Sequence, residues 1–179
     1  MSRIITSIIL LMTIGFSGCR LPVRETDDID GGVKTYNSGE ASPKVVESTE
    51  IVSFKCEFSL LAAVLEEESE LNGRIYTLDA ELDDGTVKCK IDWYGRESSS
   101  VPKEFTADAS FMTSLQKIVS KYDFAQHNGY ISKVSGLPHM YGAKLDIAYA
   151  SGESIYAHNN QDCFIPFEAI EELIELFNK

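Results

Sequence analysis

Three histidines, His127, His139 and His158, fall within 32 residues of one another, among side chains able to grip a polar ligand. Around them stand Asn128, Tyr130, Tyr141, Asn159 and Asn160. Amides supply hydrogen-bonding edges and tyrosines supply flat apolar faces, the pairing that holds sugars or peptides. The stretch from Gln126 to Gly142 reads as a long connection inside a small domain, a place where function often sits. The candidate ligand-binding set is therefore His127, Asn128, Tyr130, His139, Tyr141, His158, Asn159 and Asn160, with turn-building as the alternative role for the asparagines. A metal site would need the three histidines and Cys163 to converge, and their spacing matches no zinc pattern. No GxSxG elbow, HExxH helix or phosphate-cradling glycine loop is present. Asp146 and Glu153 stand out from no other carboxylates, so no catalytic residue, metal or cofactor is assigned. An enzyme or metal-binding protein using the 126–142 loop is the second reading, and a non-catalytic binding domain the first.

The elements that must position these groups follow from hydrophobic period. Val52, Phe54, Cys56 and Phe58 alternate with polar neighbours, as in a half-buried strand. Tyr76, Leu78, Ala80 and Leu82 precede Asp83-Asp84-Gly85, and Val87, Cys89, Ile91 and Trp93 follow it. A two-residue Asp84-Gly85 turn puts Leu82 opposite Val87, Ala80 opposite Cys89, Leu78 opposite Ile91 and Tyr76 opposite Trp93. In a second hairpin, a three-residue Ala150-Ser151-Gly152 loop pairs Ile147 with Ile155 and Leu145 with Ala157; a two-residue loop would set Leu145 against His158. Phe111, Met112, Leu115, Ile118, Val119 and Tyr122 make one face of a helix that Thr106 or Asp108 can cap. Pro166 opens a last helix, with Phe167, Ile170, Leu173, Ile174 and Phe177 buried and Glu168, Glu171, Glu172 and Glu175 wet. The expected fold is α+β: an antiparallel sheet built of hairpins, with two amphipathic helices on one face. Two hairpin-plus-helix units suggest a duplication.

Arg3, an apolar run from Ile4 to Ile14 and the tetrad Phe16-Ser17-Gly18-Cys19 resemble a bacterial lipoprotein signal with its lipobox, Phe16 standing where leucine is usual. The run is short for a ~30 Å hydrocarbon core. The resemblance implies that the chain is cut before Cys19 and that Cys19 carries diacylglycerol and a palmitate-type acyl chain. The last 60 or so residues are also similar to uncharacterised exported lipoproteins. Domain organisation is then a signal peptide at 1–18, a lipidated cysteine with a flexible acidic tether at 19–50, and one α+β domain at 51–179. The tether holds Asp27-Asp28-Ile29-Asp30-Gly31-Gly32 and little to bury. At ~5–6 Å × √n, about 30 such residues reach roughly 30 Å.

The chain carries 16 Lys+Arg against 28 Asp+Glu. Losing residues 1–18 removes Arg3 alone and leaves a net charge of −13. Such an excess argues against nucleic acid and against lying flat on anionic lipid heads. The expected partners are the bilayer, through the Cys19 acyl groups, and an envelope protein, peptide or glycan. The expected location is the cell membrane or outer membrane, with the domain facing the periplasm or exterior. Cys56, Cys89 and Cys163 remain, an odd number. Either all three are buried thiols, or Cys56 and Cys89, both on core faces, form a bridge.

Overall fold

A computed structural model describes residues 33–37, 42–61, 71, 73–95, 99–134 and 141–179. Cys19, His139 and the signal segment lie outside the described residues. The elements are β1 (Val33–Asn37), β2 (Ile51–Ser59), β3 (Ile75–Asp83), β4 (Thr86–Tyr94), β5 (Lys103–Asp108), α1 (Ser110–Lys121), a 3-10 turn (Phe124–His127), β6 (Tyr130–Val134), β7 (Ala143–Tyr149), β8 (Ser154–Asn159) and α2 (Phe167–Asn178). The strands form one eight-stranded sheet in the order β1-β6-β8-β7-β2-β3-β4-β5. The fold is α+β.

Both hairpin registers follow the side-chain pattern. Leu82 pairs with Val87, Ala80 with Cys89, Leu78 with Ile91 and Tyr76 with Trp93. Asp84 and Gly85 have φ of 48° and 79°, the two positive angles of a type I′ turn. Open space surrounds the position a Gly85 Cβ would take, so backbone strain alone sets the cost of a side chain there. Gly85→Val is expected to cost about 1–3 kcal/mol, read as a lower urea midpoint with unchanged slope. In the second hairpin Ile147 pairs with Ile155 and Leu145 with Ala157, and Gly152 takes φ 88°.

The sheet departs from a purely antiparallel, hairpin-built one. β6 runs parallel to β8, with Ile131 beside His158 and Ser132 beside Asn159. It occupies part of what the sequence reads as the 126–142 loop. None of its five residues is fully buried, so it lacks the alternation that marks a half-buried strand. β5 is an edge strand with only Phe105 and Ala107 half-buried, an alternation of two residues that is too short to mark a strand in the sequence. Residues 19–50 are not wholly tether either. β1 pairs antiparallel with β6, Val33 to Val134 through Asn37 to Tyr130, and residues 43–48 are hydrogen-bonded to the domain. In β2 the register shifts between Ile51 and Ser53. This bulge turns Ile51 into the core and leaves Val52 half-buried.

Both helices cover the same sheet face. Phe177 of α2 is fully buried, its ring 6.4 Å from Phe54 of β2, 6.4 Å from Phe105 of β5 and 5.1 Å from Phe111 of α1. Phe54, Phe58, Leu78, Leu115, Leu145, Ile147 and Leu173 join it with no exposed surface, each contributing roughly 1.5–3 kcal/mol. Asp108, rather than Thr106, serves the start of α1, accepting from the Ser110 N–H at 2.8 Å. Pro166 sits one position before α2, its carbonyl accepting from Ala169 and Ile170. The C-terminus of α2 has no basic residue of its own in the last turn. Lys103 of β5 reaches the Asn178 carbonyl at 3.1 Å instead. The two hairpin-plus-helix units are unequal, since β3 and β4 reach α1 through β5 while β7 and β8 lead straight to α2.

Candidate functional site

The three asparagines of the candidate set bind the protein's own backbone. Asn128 follows the 3-10 turn and is buried. Its Nδ2 donates to the Pro43 carbonyl at 2.9 Å and the Ser154 carbonyl at 3.1 Å. Its Oδ1 accepts the Tyr156 N–H at 2.9 Å. Asn159, at the end of β8, accepts from the N–H groups of Gln161 and Asp162, an Asx turn that redirects the chain. Asn160 pairs its side-chain amide with both backbone groups of Val134, at 2.9 and 3.0 Å. The amide thereby acts as one more residue of β8 and extends the pairing to the end of β6. A buried amide without such partners would cost more than it returns.

The remaining members divide among three places. The His127 ring lies 4.9 Å from Phe164, and Tyr130 stands edge-on to the same phenyl ring at 6.4 Å. Burial pushes the His127 pKa down, Lys44 adds to that and Asp123 opposes it. Tyr141 is exposed and lines a cavity of about 240 Å³ with Ser59, Leu60, Asp162 and Cys163. His158 lines a smaller one of about 180 Å³ with Glu57, Lys144, Asn159 and Asn160. His139 lies outside the described residues. No group of three His, Cys, Asp or Glu is arranged to hold a metal among the described residues.

The largest of these cavities lies elsewhere, on the sheet face opposite the helices. Alternation with buried Phe54, Leu78, Ala80, Cys89 and Ile91 turns Lys55, Asp79, Glu81, Lys88 and Lys90 outward. Strand register places Asp146, Lys55, Asp79, Lys90 and Glu104 side by side across β7, β2, β3, β4 and β5. Each neighbour along this row has the opposite sign. Lys55 meets Asp79 at 3.4 Å and Lys90 meets Glu104 at 3.7 Å. Beside it a second row sets Glu81 against Lys88. A groove of about 570 Å³ runs over the second row and over the first from Lys55 to Glu104. Cross-strand pairs of this kind keep an uncovered sheet soluble, each exposed pair contributing little. They also present alternating charge at the ~4.8 Å strand spacing. Nothing in the sequence draws the eye to them, because lysines and carboxylates on a strand read as its solvated side; only strand order brings them into one row.

Cys56, Cys89 and Cys163 are free thiols. Cys56 pairs with Leu78, whereas Cys89 pairs with Ala80, which stands opposite Phe54. Two strand spacings, roughly 10 Å, separate the two cysteines, beyond the ~7 Å between Cα atoms that a bridge tolerates. The core face alone could not separate these cases; strand order does. Burial pushes the Cys56 thiol well up and the Cys89 thiol up to about 11, so neither is a nucleophile near neutral pH. A Cys19→Ser chain unfolded in non-reducing denaturant is expected to titrate three thiols; a count of one would restore the bridge.

Comparison with known protein families, with curated proteins and with solved structures finds no match.

Proposed function

We propose that this is an exported lipoprotein, anchored through acylated Cys19 in the cell membrane or outer membrane, whose domain is a non-catalytic binding module for an envelope protein, peptide or glycan. The domain faces the periplasm or the cell exterior and meets its partner with the uncovered sheet face. The observation that carries this is the two-layer architecture itself: among the described residues both helices pack on one face, and the other keeps a charged groove of about 570 Å³ open. The alternating row from Asp146 to Glu104 favours a polar partner carrying both signs of charge. The asparagines support the same choice from the opposite side, because Asn128, Asn159 and Asn160 serve the fold. No helix among the described residues is long and apolar enough to cross a membrane. The two hairpin-plus-helix units are taken as an old duplication.

A photo-crosslinking residue placed at Lys88 in the mature chain, on the native membrane, tests the face; the same residue at Glu171 on the wet side of α2 is the control. An adduct from position 88 with none from 171 is expected, and the reverse result refutes the sheet face. Cys19→Ser is expected to leave the membrane fraction on washing without detergent, and persistent membrane association refutes the lipid anchor.

A further inference from the structure

We infer that the edge of β5 takes up an extended segment of a partner protein as one more strand, with cations facing Glu104 and Asp108 and apolar residues facing Phe105 and Ala107. This names a partner class for the binding module proposed above and rests on that reading. β5 ends the sheet order. It pairs with β4 from Thr86–Asp108 to Ile91–Lys103. Among the described residues, no backbone group outside β4 bonds to the β5 backbone. A strand paired on one side alone keeps a row of N–H and C=O groups directed outward, a template for a further strand. The edge is also continuous with the charged groove, because Glu104, Phe105 and Thr106 of β5 line it.

The two faces of β5 set what the added strand must carry. Phe105 stands opposite buried Cys89 and Lys103 opposite buried Ile91, so Lys103, Phe105 and Ala107 lie on the helix side. Glu104, Thr106 and Asp108 lie on the open face, and all three are exposed. The alternating row from Asp146 ends there on a carboxylate, Glu104, whose cross-strand neighbour is Lys90 at 3.7 Å. A cation on the next strand continues that alternation, and a second one answers Asp108. Towards the helices, Phe105 and Ala107 are only half-buried. The Phe105 ring is fixed edge-on to Phe111 at 5.9 Å, a firm apolar neighbour for the side chains in between. A second copy of the chain does not meet these terms. Opposed residues of an antiparallel pair share a face, and the single cation of β5, Lys103, lies on the other face from Glu104 and Asp108. Lys103 is also engaged, donating to the Asn178 carbonyl at 3.1 Å. The two carboxylates thus keep copies apart and select a basic strand. With 28 acidic against 16 basic residues, the chain as a whole draws such a segment in. A glycan has no matching row of backbone groups to offer.

Hydrogen exchange on the mature chain in nonionic detergent reads the pairing directly, with the capped peptide Ser-Lys-Val-Thr-Val-Lys-Ser as the probe. Every second amide between Lys103 and Asp108 is expected to gain protection several-fold. The same peptide with glutamates for lysines, or with its two lysines made adjacent, should leave β5 unchanged. Glu104→Lys should weaken the lysine peptide roughly tenfold, since a like charge replaces an opposite one. No protection of β5 by the lysine peptide overturns the inference. Equal protection by either control, or undiminished protection in Glu104→Lys, does so too. Should Glu104→Lys lose protection at Phe54 and Leu145, Glu104→Gln decides, and an unweakened peptide there refutes the inference. Protection of β5 that rises with protein concentration and no peptide would give the edge to a second copy and refute a basic partner. The edge and the face fail separately: an adduct from position 88 without β5 protection removes the edge strand and leaves the sheet-face reading, and β5 protection without that adduct does the reverse.

Discussion

Gly142→Ala is expected to prevent the domain from accumulating in folded form. A Cβ at this position would stand 1.9 Å from the Asn159 carbonyl oxygen and 2.7 Å from the Asn160 Cα. Both are backbone atoms, so no side chain can swing aside. Gly142 is also tied on its other side, its carbonyl accepting the Ser59 N–H at 3.0 Å. Relief would require β7 to move against β2 or β8, and Leu145 and Ile147 are fully buried in those pairings. The cost is on the order of 4 kcal/mol or more, at the severe end for a point substitution and a large part of a total near 5–15 kcal/mol. Urea unfolding of any soluble fraction checks it. A midpoint within error of the parent would mean that the turn from Asn159 to Asp162 is free to shift, which the Asn160–Val134 amide pairing opposes.

That position illustrates what a sequence holds and what it withholds. The hairpin registers were legible because each depends on neighbours in the chain: Asp84-Gly85 and Gly152 fix loop length, and the apolar phases on either side allow one pairing. The helices were legible from their period. The glycine at 142 carries no such sign, since its need for a missing Cβ comes from Asn159, which β8 brings back 17 residues later. Strand order was likewise illegible. Cys56 and Cys89 share a core face, as their alternation requires, yet β3 stands between them. β6 was hidden because strands that bury neither face leave no period, and β1 because a five-residue edge strand inside an acidic stretch looks like its surroundings. The charged row from Asp146 to Glu104 comes from five strands and exists only once they are ordered. The candidate site was legible as composition alone: Asn128, Asn159 and Asn160 stood out as amides, but hydrogen-bond partners, not residue types, decide between gripping a ligand and stapling a chain.

Asn128→Ala turns that decision into a measurement. The side chain joins three segments far apart in sequence: the stretch before β2 at Pro43, β8 at Ser154 and Tyr156, and the 3-10 turn from which it projects. Truncation leaves the Tyr156 N–H and two carbonyls without that partner in a site with 7% of its surface exposed. At about 1–3 kcal/mol for each buried group left unmade, with the outermost one rescued by water, the expected loss is roughly 3 kcal/mol. For a domain of this size that corresponds to a melting temperature lower by roughly 10 °C. Asn128→Asp should recover little. A carboxylate keeps the acceptor for Tyr156 but faces the Pro43 and Ser154 carbonyls with no proton to donate. A ligand-binding asparagine behaves in the opposite way: its removal leaves stability intact and lowers affinity, because its partner is absent from the folded chain. Unchanged melting in Asn128→Ala would therefore return this residue to the ligand-binding set.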